Sequence, residues 1–315
     1  MLDTLARFLI QIADTLNVPI FDVRAVVAIG LVSLACGLVG SFVVGNRMAF
    51  FSDAMAHTAF AGAALGVLMI LLIFRPGSTH DAGDHEWVIP LVMVAFGIVV
   101  GLAIAFVRER TGLTADAVIG VFFAFAVGFG AMLIPELSRR VRFEPEQFLF
   151  GSAVFANESD IAGLILVVAL CLVFVLLRFN GMTLAGFNPS LARTRSMNVR
   201  LNNYLFVILL SLVVNLSIKA VGVLLINALL IVPAAASANI ARNVRQLFLG
   251  SVLISVGCSL GGYLFSRTTV IPLPGGDPIQ LRPAGTIIVL SVLVFFLTAI
   301  IAAVRGRRIH GGDCC

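Results

Sequence analysis

GSFVVGNRMAFFSDAMAHTAFAGAALG, residues 40–66, closes one apolar run, passes Arg47, and opens the next with Asp53 and His57. Four residues separate that carboxylate and imidazole. On a helix this places them on one face, one above the other. The residues that follow are nearly all small: Ala59, Ala61, Gly62, Ala63, Ala64 and Gly66. Such a face lets helix backbones approach closely inside a membrane. An ionisable pair on a close-packed apolar span is costly and points to function. Its oxygen and nitrogen donors suit a divalent transition metal. A plainer reading also fits the pattern. Ser52 or Asp53 would be the N-cap of the span, and His57 a packed polar residue bonded to backbone.

Working outward, the 315 residues are 60% hydrophobic and 12% charged, with mean hydropathy +1.09. That lies far outside the soluble range. Apolar runs near the roughly 20 residues needed to cross a bilayer recur along the chain. Nine spans are expected, near 25–44, 54–74, 89–107, 116–135, 161–178, 203–218, 220–238, 247–265 and 284–304, with only Lys219 between the sixth and seventh. The fold class is therefore all-α, a polytopic membrane protein of about eight or nine helices. Residues 1–24 carry helically spaced Leu2, Leu5, Phe8, Leu9, Ile12 and Leu16 interrupted by Asp3 and Asp14. They read as an interfacial segment rather than a signal peptide. Residues 25–304 form the transmembrane domain and 305–315 a cytoplasmic tail. No stretch between spans is long enough to bury a core of its own, and no internal repeat stands out.

Cys36, Cys171 and Cys258 lie singly within apolar spans, where Cys behaves as a small hydrophobe. Basic residues orient the chain. With Arg305, Arg307 and Arg308 inside, the inside segments also hold Arg47, Arg108, Arg110, Arg178, Arg193, Arg195, Arg200, Arg242 and Arg245. That is the majority of the 21 Lys and Arg residues. The N-terminus is then outside.

A P-loop ends in Lys-Ser or Lys-Thr so that its amides and amine cradle phosphates. The single Lys here, Lys219, is followed by Ala220, so nucleotide hydrolysis must belong to another chain or transport must be ion-driven. The segment FNPSLARTRSMNVRLNN, 187–203, is assigned inside and sets Arg between apolar Leu191, Ala192 and Met197. It reads as a surface for a cytoplasmic partner or as an ordinary positive-inside loop.

The blocks at 40–66, DAVIG (116–120), FLFGSAV (148–154), NPSLA (188–192), KAVGVLLINALLIVPAAASA (219–238) and PAGTIIVL (283–290) occur in order. Through them the chain resembles the permease subunits of bacterial ABC importers for zinc and manganese, and most closely the zinc-uptake (ZnuB-type) permease. The resemblance implies a homodimer in the bacterial inner membrane, a cytoplasmic ABC ATPase that uses the ATP, and an extracytoplasmic metal-binding protein. It implies no permanently bound cofactor, no enzymatic activity in this chain, and Zn²⁺ as cargo, with Mn²⁺ or Fe²⁺ as alternatives. Asp53 and His57 fall on the family's Asp-x-x-x-His positions for metal passage. Asn188, Pro189, Leu191, Ala192, Arg193, Arg195 and Ser196 fall on the ATPase-coupling segment. Ser196 stands where Gly is usual, Phe122 to Phe125 where zinc-type relatives can carry His, and Arg282 where an Asp often precedes the Pro of the last span. These departures leave fewer ligands. Rival readings are an ion-coupled secondary metal transporter, which would need more intramembrane carboxylates, and a permease for metal chelates, which lacks the Asp-x-x-x-His block.

Further candidates are local. His80, Asp81, Asp84, His85 and Glu86 crowd one outside loop and are candidates for collecting cations before entry. Pro233 removes a helix hydrogen bond and is expected to break or kink its span, with Asn227 as interhelical glue. Asp116 is expected to N-cap the fourth span. Arg139, Arg140 and Arg142 are candidates for pairing with a binding protein or with nearby Glu136, Glu144 and Glu146. The tail residues His310, Cys314 and Cys315 could accept zinc. No nucleic-acid partner is expected.

Overall fold

The computed structural model describes residues 7, 9–11, 13–15, 18–46, 48–73, 87–137, 158–187, 198–271 and 279–304. Among them are nine helices long and apolar enough to cross a membrane. They are α1 (Ile20–Gly45), α2 (Ala49–Ile73), α3 (Val88–Arg110), α4 (Ala115–Leu137), α5 (Glu158–Phe187), α6 (Val199–Val221), α7 (Val223–Ile240), α8 (Val244–Thr268) and α9 (Pro283–Val304). Strands β1 (Val270–Ile271) and β2 (Ile279–Gln280) form a short antiparallel pair between α8 and α9.

All nine expected spans are present, and most helices outrun them. Hydropathy marks where lipid begins, but the helical ladder continues because it is the cheapest way to satisfy backbone groups near the bilayer. The difference is largest in α5. It is 30 residues long and carries on past Arg178 to Phe187. At the other end of the chain, α1 opens at Ile20 behind Pro19. The described residues between 7 and 15 are helical, and Leu9 and Ala13 pack on Val23 of α1 and Ile161 of α5.

Lys219 does not divide the sixth and seventh spans. The helix α6 runs through it to Val221, and Gly222 turns the chain with φ 88°. Only glycine takes that conformation cheaply. The 18 residues of α7 cover about 27 Å, and the 25 of α8 about 37 Å. Residues 241–243 join them, and the Ser237 hydroxyl donates to the Leu247 carbonyl at 2.8 Å, so those ends are level. The Gly222 turn therefore stops roughly 10 Å short of the far end of α8.

At the centre of the bundle is α1, packed by α5, α6, α7 and α8, while α2 is held by α3, α4, α6 and α7. Glycines set the closest approaches. A Cβ at Gly62 would meet the Met93 Cα at 3.0 Å, and one at Gly66 the Ile89 Cα at 3.0 Å, so the small-residue face of α2 lies backbone to backbone on α3. Across α1, Gly37 faces Val252 and Gly40 faces the Leu230 carbonyl of α7. Ser251 and Ser255 of α8 donate to the Gly37 and Ser33 carbonyls at 3.0 and 2.8 Å. Near the start of α1, buried Asp22 accepts from the Tyr263 hydroxyl at 3.1 Å and pairs with Arg267, while Arg24 pairs with Glu158 at 2.8 Å. Cys36, Cys171 and Cys258 are free and buried.

A candidate metal site between α2, α4 and α7

Helix α2 begins at Ala49, so Asp53 is its fifth residue and His57 lies one turn further in. They sit about 6 and 12 Å along the axis from Ala49. This removes the capping interpretation of Ser52 and Asp53. Ser52 is fully buried and donates its hydroxyl back to the Ala49 carbonyl at 3.0 Å. Asp53 is a full turn past the first free amides, so its carboxylate has no capping work to do.

The two side chains face each other as the spacing requires. His57 Nε2 is 3.9 Å from Asp53 Oδ1. A first-row divalent ion sits roughly 2.0–2.2 Å from such donors, so two tetrahedral ligands of one ion lie about 3.4 Å apart. The observed separation is a few tenths of an ångström wider, which a small side-chain adjustment closes. In the neutral imidazole a ring nitrogen lone pair is available as the ligand. The His57 side chain is 33% exposed and that of Asp53 45%. Polar groups this open on a transmembrane helix must look onto water or another protein surface, since lipid offers them no partner.

The walls come from two other helices. From α4, Phe123 sets its ring edge-on to the His57 imidazole, centroids 4.8 Å apart at 83°. From α7, Asn227 Nδ2 donates to Asp53 Oδ1 at 2.8 Å. The expected interhelical role of Asn227 is thus met, and its partner is the site carboxylate itself. Asn227 Oδ1 is buried and has no hydrogen-bond partner. A buried unsatisfied acceptor costs about 1–3 kcal/mol. Sequence reasoning kept Asn227 apart from Asp53 because 174 positions separate them and no local pattern links the two. Among the described residues no third His, Cys, Asp or Glu joins the pair.

The remaining candidates fall elsewhere. Pro233 does not break its helix: α7 is continuous from Val223 to Ile240, with Pro233 buried inside it, and the interruption comes at Gly222. Nor does Asp116 cap α4. The Thr114 hydroxyl accepts from the Ala117 amide at 3.4 Å, and Asp116 stands in the first turn, where its charge suits the helix dipole. The collection-loop residues His80, Asp81, Asp84, His85 and Glu86 lie outside the described residues. So do Asn188, Pro189, Leu191, Ala192, Arg193, Arg195 and Ser196, the Arg139–Arg142 stretch, and the tail. The helices on either side, α5 and α6, are described. Asn198 caps α6 by accepting from the Leu201 amide at 3.1 Å. Arg178 donates to Asn202 at 3.0 Å, Tyr204 donates to Glu109 at 3.1 Å, and Arg200 pairs with Glu109. These contacts tie α3, α5 and α6 together. Close by, the ends of α1, α5 and α8 enclose a cavity of about 280 Å³ lined by Ser41, Phe42, Asn46, Thr183 and Phe248. It does not include the Asp53–His57 pair.

The profile of the ABC 3 transport family matches residues 20–303, almost the whole helical bundle. The chain belongs to the ABC 3 transport family. It is a multi-pass membrane protein of that family, and the site above sits within the matched region. The ABC 3 chain is 25% identical to the manganese transport system membrane protein MntC of Listeria innocua, over 89% of each chain. It is also 25% identical to the high-affinity zinc uptake system membrane protein ZnuB of Haemophilus influenzae, over 75% of this chain and 84% of that one. Its fold matches the solved structure of PsaBC from Streptococcus pneumoniae in complex with Fab, with TM-score 0.71 and 21% identity, over 91% of this chain and 94% of that one.

Proposed function

We propose that this ABC 3 protein is the permease of a bacterial importer for a divalent first-row metal ion, with Asp53 and His57 as transient ligands on the ion's path. One observation carries the reading: an ionisable pair, spaced to share one ion and open to its surroundings, stands on an otherwise apolar transmembrane helix. Relatives named for manganese and one named for zinc both lend support. The zinc-specific expectation therefore widens to Zn²⁺ or Mn²⁺, a choice that shared ligand types leave to the rest of the shell.

Two protein ligands per chain are too few for a closed tetrahedral site. That suits an ion that must also leave. The open face of the pair is the place for water or for the mate of a homodimer to complete the shell. ATP is hydrolysed by a separate cytoplasmic subunit docked at 188–196, and an extracytoplasmic protein delivers the ion. The chain acts in the bacterial cell membrane.

The test is uptake of radioactive zinc and manganese at limiting concentration. Asp53→Asn retains size and an acceptor for Asn227 but loses the charge. His57→Ala removes the imidazole. Both are expected to lose most uptake while membrane levels and ATPase assembly hold. Wild-type uptake of both metals in both variants overturns the site.

A further inference from the structure

Asn227 brings an unusual pairing of facts to the Asp53 carboxylate. Its Nδ2 donates to Asp53 Oδ1 at 2.8 Å, and its Oδ1 is buried with no donor in reach. Few buried polar atoms in native proteins go unpartnered, and each one calls for an explanation. An orphan amide oxygen beside a carboxylate cannot be satisfied by that carboxylate, because both are acceptors. A cation held by the carboxylate can satisfy it. Half a turn about the terminal side-chain torsion exchanges Nδ2 and Oδ1, and such sp³–sp² torsions are soft.

We propose that Asn227 is a third and selective ligand of the transported ion: its amide donates to Asp53 when no cation is there and turns its oxygen to the cation when one is. This rests on the Asp53–His57 reading and says which ion that site prefers. With Asn227 the donor set from one chain is carboxylate oxygen, amide oxygen and imidazole nitrogen, drawn from α2 and α7. Oxygen donors favour the harder ion, and imidazole and thiolate the softer. The added amide oxygen tilts the site toward Mn²⁺ over Zn²⁺. Being neutral, it adds a bond without adding charge, so the ion is not held too tightly to leave. The Phe123 ring covers one side of His57 and supplies no competing nitrogen ligand.

The experiment measures initial uptake of radioactive manganese and of radioactive zinc in cells expressing the full chain with its cognate partners. It compares wild type, Asn227→Leu, Asn227→Asp, Asp53→Asn and His57→Ala, together with the thermal stability of each purified permease. Asn227→Leu matches the volume and deletes the amide. It is expected to raise the KM for Mn²⁺ roughly 10- to 100-fold, the usual range for removing a supporting group at a metal site, with a much smaller change for Zn²⁺. Asn227→Asp, which replaces the amide oxygen with a charged one, is expected to lower the KM for Mn²⁺ and to slow maximal uptake. A structural role alone would move both metals equally and through the maximal rate, in step with stability. That outcome overturns the proposal, as does an unchanged ratio of the two KM values in both Asn227 variants. If Asp53→Asn and His57→Ala lose uptake while the Asn227 variants keep wild-type selectivity, only this inference fails. If Asp53→Asn and His57→Ala transport normally, the underlying site fails with it.

Discussion

Replacing Gly40 with Ala tests how the packing of α1 reaches the site. The added methyl would fall inside the van der Waals envelope of the Leu230 carbonyl oxygen on α7, with the Ala234 Cβ 3.6 Å from that methyl. The obstructing atom is backbone, so no rotamer change relieves the contact. Ordinary contacts lie near 3.5–4.0 Å, so α1 and α7 must part by on the order of an ångström. Overpacking of this kind costs about 1–3 kcal/mol, or roughly a 5- to 140-fold loss in the folding equilibrium. Asn227 lies one turn before Leu230 on the same helix. A shift of that size carries its 2.8 Å bond to Asp53 past the length at which a hydrogen bond survives. The assay is thiol labelling on heating, with buried Cys36, Cys171 and Cys258 reporting helix separation, alongside metal uptake. A fall of roughly 2–5 °C in the midpoint is expected, together with a raised KM for metal. A midpoint and KM indistinguishable from wild type would refute the close α1–α7 contact and its mechanical link to the site.

Three further outcomes are expected. Charge reversal at Arg193 and Arg195 should release the cytoplasmic ATPase, scored by loss of co-purification with membrane insertion intact; unchanged co-purification removes the docking role of 188–196. Asp22→Ala strips the acceptor shared by Tyr263 and Arg267 and should cost about 1.5–3 kcal/mol, the range for hydrogen bonds to a charged group, read as a lower unfolding midpoint; no change would show that the Asp22 cluster does not help hold α1 to α8. Asn198→Ala deletes the cap of α6 and should cost about 1 kcal/mol, while Asn198→Asp should restore most of it.

The spans were legible because twenty-odd apolar residues have few other fates, and the Asp53–His57 pair was legible because helix periodicity is local. The small-residue face after His57 announced the close α2–α3 approach for the same reason. What failed was punctuation. Lys219 looked like a boundary because charge is rare in lipid, yet a lysine does not stop a helix, whereas Gly222 does so by backbone freedom. Pro233 looked like a break, yet a helix enclosed by neighbours tolerates a missing amide. Asp116 looked like a cap because it was the first charge of its span, when the hydroxyl two residues earlier had the geometry. Asn227 at Asp53 was out of reach of any window, since it depends on how α2 and α7 meet.

The central place of α1 has a consequence for how the protein is made. Among the described spans it is the first to be synthesised and the most enclosed, with 72% of its apolar window buried. Yet Ser251 and Ser255, which bond its Gly37 and Ser33 carbonyls, follow 214 and 222 residues later. At roughly 5–20 residues per second, the ribosome needs on the order of 10–40 s to deliver them. Through that interval α1 must persist in lipid without its α8 partner, which its hydropathy of 2.4 permits. Helix α8, at 1.8 and carrying Ser251, Ser255 and Ser259 inside the bilayer, enters a membrane where its partner already waits. The order of synthesis and the order of polarity agree: the greasiest part of this contact comes first, and the hydroxyl-rich part arrives to find its acceptors in place.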